Sequence, residues 1–332
     1  MVSQLDLVLQ ACDHEPMPSP RLEWAVASCV AGWAVARLTA VDRFRPLERA
    51  AVPLLSLTPQ ATAGAGLAAL MLSGRGPSGT AALAGAALAA AAAPRAFPRR
   101  QPAADGPILR VLTANLLVGR AAGAGLVELV RRTGADMLFL QELSGDAVTR
   151  LSRAGLNELL PNEMPDISGH RHRGSGIYAR YPLRDGLAIG PSVVSQPTAR
   201  LELPSGRSVQ LVCVHPHPPS PPWSPLAASR WRSELAALPP PGDPPVIIAG
   251  DFNATLDHAQ FRRLLRLGHV DAASQAGHGL VPTWGPEPSG RPALLTIDHV
   301  LIDPRCAVLA TAAHPLPGSD HRALYAEFRL PA

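Results

Sequence analysis

Two oxygen-bearing side chains stand one residue apart in AGDFNATLDH, residues 249–258, where Asp251 and Asn253 follow the apolar run PPVIIAG. Apolar residues between a proline and a glycine read as a short buried strand closed by a turn. Both side chains then fall at the carboxyl end of that strand, where open α/β sheets place their chemistry. Asp and Asn are also ordinary turn formers, so the pair alone is weak evidence. The pattern recurs, however. VLTANLL carries Asn115, LFLQEL carries Glu142, LVCVHPH carries His215, TIDHVLI carries Asp298, and GSDHRAL carries Asp320 and His321. A buried strand has no structural need for such groups, and a repeated arrangement is harder to assign to chance than one turn.

Phosphoester hydrolysis asks for this set. Mg²⁺, or Mn²⁺ in its place, takes oxygen ligands, and Mg²⁺ usually binds one or two carboxylates together with waters and substrate phosphate. Glu142 leads the candidates for that role, with Asn115 and Asp320 beside it. A general base working near neutrality is supplied by a His paired with a carboxylate, here His321 with Asp298. Charge developing on phosphoryl oxygens needs donors, and Asn253, Asn115 and His215 suit that task.

The elements that must hold these groups follow from the same pattern. From Ile108 the chain alternates ILRVLTA, the helical GAGLVELVRR, DMLFL, and later VQLVCV, VIIAG, TIDHVLI and ALYAEF. Such alternation predicts a layered α/β domain over residues 108–332. Asp257 and His258 read as the start of the helix LDHAQFRRLLRLG, with Asp257 in its first turn. Trp284 in PTWG reads as a packing residue, and His170 and His172 in SGHRHRGSG as part of a solvated loop. Strand alternation turns His299 to the face opposite Asp298.

Composition narrows the function classes. All 30 basic residues are arginine, and a net charge of +4 spread along the chain is no nucleic-acid footprint by itself. Cys12, Cys29, Cys213 and Cys306 lie far apart, without the spacing of a zinc site or a disulfide framework.

Before residue 100 the chain has a different character. Residues 1–23 form a tail, 24–97 a transmembrane region of two or three helices, and the Pro-rich 98–107 a linker. Three apolar stretches make up that region: Trp24 to about Val41, with Arg37 snorkelling to a headgroup; Ala50 to Ser73, long enough to span; and the short, Ala-rich Thr80 to Ala93. Asp6, Asp13 and Glu15 argue against a signal peptide. The competing reading is a soluble Ala-rich helical hairpin. With three spans, the Arg-rich segments place the catalytic domain in the cytoplasm; with two, outside it.

TANLL, LQEL, VHPHPP, GDFNAT, TIDHVLI and GSDHRAL, in this order, resemble the endonuclease/exonuclease/phosphatase superfamily over about residues 108–330. The resemblance implies a DNase I-like α/β sandwich. It implies Glu142 as principal Mg²⁺ ligand with Asn115 and Asp320 completing the metal and phosphate environment. Asp251 would orient or activate the attacking water, Asn253 would fix the phosphate, and Asp298 would orient His321, which acts as base or transition-state stabiliser. His215 would contact phosphate, with His217 the competing choice. The layout is also similar to a membrane-anchored branch that includes teicoplanin-resistance-type proteins, which implies an outward-facing domain acting on a lipid-linked phosphate or pyrophosphate. A membrane anchor near the site favours such a substrate through local concentration. The alternatives are a Mg²⁺-dependent nuclease on DNA and a non-catalytic protein binding a phosphorylated lipid or a partner.

Overall fold

Twelve strands make two six-stranded sheets in the computed structural model, which describes residues 19–167, 174–190, 192, 194–219, 226–285 and 292–332. They are β1 (Ile108–Asn115), β2 (Met137–Leu143), β3 (Asn162–Asp166), β4 (Gly174–Ala179), β5 (Leu183–Asp185), β6 (Thr198–Glu202), β7 (Ser208–Val214), β8 (Val246–Asp251), β9 (Val270–Asp271), β10 (Asp298–Ile302), β11 (Ala307–Pro315) and β12 (Arg322–Arg329). One sheet runs β11-β12-β1-β2-β4-β3 and the other β5-β6-β7-β8-β10-β9. Helices α1 (Pro20–Leu38), α2 (Glu48–Ser56), α3 (Thr58–Met71) and α4 (Ser78–Ala92) precede them. Among the strands lie α5 (Ala124–Thr133), α6 (Gly145–Arg153), α7 (Leu156–Leu159), α8 (Ala227–Ala236), α9 (Ala259–Arg266) and α10 (Ala272–Gln275).

The inner faces of the sheets meet through Val111, Met137, Phe139 and Ile177 on one side and Leu211, Ile247 and Val300 on the other, all buried. Aligned sheets filled by alternating inward side chains form a sandwich. Helix α5 closes the outer face of the first sheet with Leu126, Val127 and Val130 at the i, i+1, i+4 spacing of a helical stripe. Trp231 of α8 and Phe261 of α9 close the second.

Strand direction gathers the polar residues. Each sheet has a parallel pair at its centre, β1 with β2 and β7 with β8. Asn115, Glu142 and Asp251 lie at or near the carboxyl ends of β1, β2 and β8, and His215 directly follows β7. The antiparallel neighbours β10 and β12 begin where those strands end: Asp298 pairs in register with Asp251, and His321 directly precedes β12. One edge of the sandwich therefore receives every polar residue that the strand pattern had singled out.

The amino-terminal helices depart from the expectation in three ways. Ala50–Ser73 is not one helix: α2 and α3 meet at a bend of 69°. Among the described residues no single helix is long and apolar enough to cross a membrane, and only the bent α2–α3 pair passes on length and composition. Arg37 does not snorkel; its Nε lies 2.5 Å from Asp257 Oδ1, with both side chains buried. Residues 98–107 run along the sandwich, Arg99 N–H donating to Gln275 O and Gly106 N–H to Leu330 O, each at 3.0 Å.

Burial in α1, α3 and α4 is reversed relative to the sandwich. Their shared interior is mostly alanine, with Ala27, Ala34, Ala65, Ala81 and Ala84 buried around Leu72 and Leu88. Trp24, Val35, Leu67, Leu70, Met71 and Leu83 point outward.

Candidate active site

Asn115 is the hinge of the cluster. Its Nδ2 donates to Glu142 Oε1 at 3.3 Å and to Asp251 Oδ2 at 3.1 Å, while its Oδ1 accepts from Leu117 N–H at 3.0 Å. Asn115 thus bridges two carboxylates through its amide nitrogen and holds the following turn through its oxygen. Glu142 sits at a register shift of β2 with φ 54°, and its Oε2 accepts from Val118 N–H at 2.7 Å. Val118 itself has φ 57°. Left-handed backbone at non-glycine residues costs about 1–3 kcal/mol and persists only where surrounding contacts enforce it. Here the strained turn and the carboxylate hold each other in place.

Asp251 turns the end of β8. Its Oδ1 accepts from Asn253 N–H at 2.8 Å, Asn253 adopts φ 47°, and Asn253 Nδ2 donates to Pro216 O at 3.1 Å. Such a local bond is why Asp-x-Asn suits this turn. Asp251 Oδ2 faces two imidazoles, with His321 Nε2 at 3.7 Å and His215 Nε2 at 3.8 Å. His321 Nδ1 lies 2.9 Å from Asp298 Oδ2, and Asp298 is steadied by Thr283, whose Oγ1 accepts the N–H groups of Ile297 and Asp298. Ser319 Oγ donates to Asn115 O at 2.8 Å and accepts His321 N–H at 3.0 Å, fixing the β11–β12 connection that carries Asp320 and His321 to the end of β1.

The charges follow from burial and neighbours. Burial raises the Asp251 carboxyl above its ordinary value, with Asp298 adding to the effect and His321 opposing it. For His321 burial works downward, but the carboxylates of Asp298 and Asp251 outweigh it and hold the imidazole above its usual range. Burial, reinforced by the charges of His321 and His217, pushes His215 down to about 3. At neutral pH the site therefore holds one cationic and one neutral imidazole around a carboxyl group poised to accept a proton.

These groups form the floor of a cavity of about 490 Å³ lined by Glu142, His215, Asp251, Asn253, Asp320 and His321. All eight residues singled out from the sequence come together here: Asn115 behind Glu142, Asp298 behind His321, and the other six facing the cavity. His217 is not among them; its ring nitrogen meets Pro218 O at 2.9 Å. His299 faces away, bonded to Asp271 at 2.9 Å and to Ala254 O. His170 and His172 lie outside the described residues.

Among the described residues no group of three or more His, Cys, Asp or Glu side chains forms a metal cage. The donor set still fits Mg²⁺, which needs only one or two carboxylates besides water and phosphate. Glu142 and Asp320 supply these on one cavity, and the buried Asp320 Oδ1 has no hydrogen-bond partner.

Two sequence readings are corrected. Trp284 is no mere packing residue: it lines the cavity, and its Nε1 donates to Asp320 Oδ2 at 2.9 Å. Asp257 does not lie in the first turn of α9, which begins at Ala259; it is fully buried and takes Arg95 Nη2 at 2.6 Å as well as Arg37. Ser319, within the GSDHRAL motif, and Thr283, beside Trp284, carried no signal of their own. Pro53, Ser56 and Leu57, which also line the cavity, lie in a stretch whose composition speaks only of membrane.

The description Endonuclease/Exonuclease/phosphatase family matches residues 112–321. No curated protein matches the chain. Among solved structures, an endonuclease/exonuclease/phosphatase from Beutenbergia cavernae is 18% identical, covers 70% of this chain and 72% of its own, and has a TM-score of 0.50. A humanised TDP2 from D. rerio is 19% identical with a TM-score of 0.53, covering 67% of this chain and 99% of its own. The D. rerio TDP2 complexed with a single-strand DNA product is 18% identical, with a TM-score of 0.52, 67% of this chain and 99% of its own covered. These likenesses share the two-sheet sandwich. Since the match runs from β1 to His321 and takes in every residue of the cluster, the chain belongs to the endonuclease/exonuclease/phosphatase family, hydrolases of phosphoester bonds.

Proposed function

We propose that the protein is a membrane-associated, Mg²⁺-dependent phosphoesterase that hydrolyses a lipid-linked phosphate or pyrophosphate ester. The observation that carries the lipid half of this reading is the reversed burial of α1, α3 and α4. Alanines fill their interior while Leu67, Leu70, Met71 and Leu83 point out. In water the large side chains would be the ones to hide. In a bilayer no such drive exists, and small residues at the helix contacts are the rule.

The catalytic half rests on the cluster. Asp251, raised by burial, takes the proton of the attacking water, and Asn253 and the neutral His215 contact the phosphate. His321, bonded to Asp298 and held above its usual range by the carboxylates around it, would face the developing charge on the phosphoryl oxygens, and we read it as a transition-state stabiliser in preference to a base. Glu142 and Asp320 would hold the metal, which when bound neutralises phosphate charge. Arg37 and Arg95 are engaged with Asp257, yet Arg43, Arg45, Arg49, Arg99 and Arg100 still outnumber Arg21 and Arg75; we propose the outer side of a cell membrane for the domain on the similarity of its layout to the membrane-anchored branch.

The test is phosphate release by the detergent-solubilised full-length protein with Mg²⁺, comparing an undecaprenyl-type pyrophosphate, a phospholipid and plasmid DNA. Turnover of a lipid substrate that disappears in Glu142→Ala and on chelation is the expected result. Nicking of plasmid with no lipid turnover would replace the substrate by DNA, and phosphate release indifferent to Glu142 would remove the site.

A further inference from the structure

The catalytic cavity is not built by the sandwich alone. Pro53, Ser56 and Leu57, from the end of α2 and the corner where it meets α3, form part of its wall, and Pro218, Pro219 and Leu295 line it as well. The charged and imidazole groups of its lining are Glu142, His215, Asp251, Asp320 and His321, and no arginine is among the described residues that line the cavity. A substrate whose phosphate reaches that floor must send its remaining part past the apolar wall.

The corner is held firmly. His258 Nε2 lies 2.8 Å from Val52 O and 3.4 Å from Ser56 Oγ, and Val52 is buried with Trp231 and Phe252 of the sandwich. Arg232 Nη1 meets Glu48 Oε2 at 2.5 Å, and Gln60 Nε2 donates to Leu294 O at 2.6 Å. Val52 and Leu55 supply the packing, whereas Pro53 and Leu57 stay exposed. From the same corner α3 continues to the outward-facing Leu67, Leu70 and Met71. The cavity corner and these outward-facing apolar side chains thus belong to one helix.

We infer that the α2–α3 corner is the hydrocarbon subsite of the enzyme, in which Pro53 and Leu57 receive the alkyl or prenyl chain next to the scissile phosphate. The inference rests on the lipid-linked reading above and deepens it. The occupant is argued from charge: a polynucleotide flanking the scissile bond brings further phosphates, which need cations, and among the described residues this wall offers none. A hydrocarbon chain needs only an apolar surface out of water. The helical unit is then a working part of the active site, selecting substrate as well as holding the domain at the membrane.

Two readouts on the full chain test it. The first is the ratio of kcat/KM for a long-chain prenyl pyrophosphate to that for a short, water-soluble phosphate ester. Placing a carboxylate against the chain in Leu57→Asp lowers this ratio by about tenfold or more, and Leu57→Ile retains it. A ratio unchanged by Leu57→Asp overturns the subsite. The second is photo-cross-linking with an alkyl phosphate carrying a diazirine in its chain, mapped by mass spectrometry. Adducts at 53–57 and 218–219 are expected, and adducts confined to Leu67, Leu70 and Leu83 overturn the proposal. The two failures are distinguishable. Adducts at the corner without turnover keep the subsite and remove the hydrolase reading, whereas Glu142-dependent turnover without them keeps the hydrolase and removes the subsite.

Discussion

The sandwich and the amino-terminal helices are both rich in apolar residues, yet they bury opposite kinds. The sandwich interior is Phe139, Ile177, Leu211, Trp231 and Phe328, all nearly inaccessible. The helical interior is Ala27, Ala65 and Ala81, while Leu70 and Leu83 are 73% and 76% exposed. Hydrophobicity alone does not tell these regions apart; which side chains are hidden does. The first pattern is that of a protein folded against water, and the second is what the proposed bilayer setting calls for, small residues at the helix contacts. Where the two regions meet, the contact combines an ionic cluster, Asp257 buried between Arg37 and Arg95, with an apolar one, Val52 packed with Trp231 and Phe252.

The junction is where the comparison breaks most readily. Removing Asp257 leaves two buried guanidinium groups without their carboxylate, a change that typically costs about 3–5 kcal/mol. Asp257→Ala therefore loosens the helical unit from the sandwich, read as protease cleavage in 98–107 and loss of thermal stability in detergent. Asp257 also sets a pH dependence. Burial alone would raise its carboxyl, but the hydrogen bonds and charges of Arg95 and Arg37 outweigh that and hold it below the ordinary value. A depressed folded-state pKa means that the stability is fully present above the unfolded value of about 4 and is lost as pH falls through the folded value. Protease sensitivity of the junction rises below about pH 4 in the wild type, and Asp257→Asn flattens that rise. Indifference of the junction to both substitutions would mean that apolar contacts such as Val52 hold the regions together.

How much of this was legible in the sequence differs between the two regions for a physical reason. Strands announce their candidate site residues because a polar group at the end of an apolar run violates the local pattern, so Asn115, Glu142, His215, Asp251 and Asp298 stood out. The direction of the sheets, which makes those ends coincide, follows from strand order. The left-handed backbone at Glu142 was invisible, since it arises from a register shift against β4 and a carboxylate bond to Val118. Asp257 was misread because it sits beside a helix start, where an aspartate is ordinary; its partners are 220 and 162 residues away. The bend between α2 and α3 was missed as well, because a continuous apolar stretch reads as one span.

Packing inside the helical unit provides the next, smaller test. Ala81 is fully buried against Ala27 and Leu72. Ala81→Leu adds volume to a tight contact and destabilises by about 1–3 kcal/mol, measured by thermal unfolding in detergent. In a loosely packed, water-facing hairpin the same change would be neutral or stabilising, because it would add apolar surface to a thin core.

The smallest effect on stability belongs to the outward face, and it is the one that separates water from lipid. Leu83→Ser changes an exposed side chain with no partner to lose, so unfolding in detergent shifts by no more than about 0.5 kcal/mol. That result alone fits either solvent. Cys29 decides between them, because it is exposed on α1 while Cys213 and Cys306 are buried. A nitroxide on Cys29, in a Cys12→Ser background reconstituted into liposomes, collides more often with oxygen than with a water-soluble nickel chelate if this face meets hydrocarbon. The opposite preference would put α1 in water, and the reversed burial of Ala81 and Leu83 would then call for a protein partner over that face in place of a bilayer.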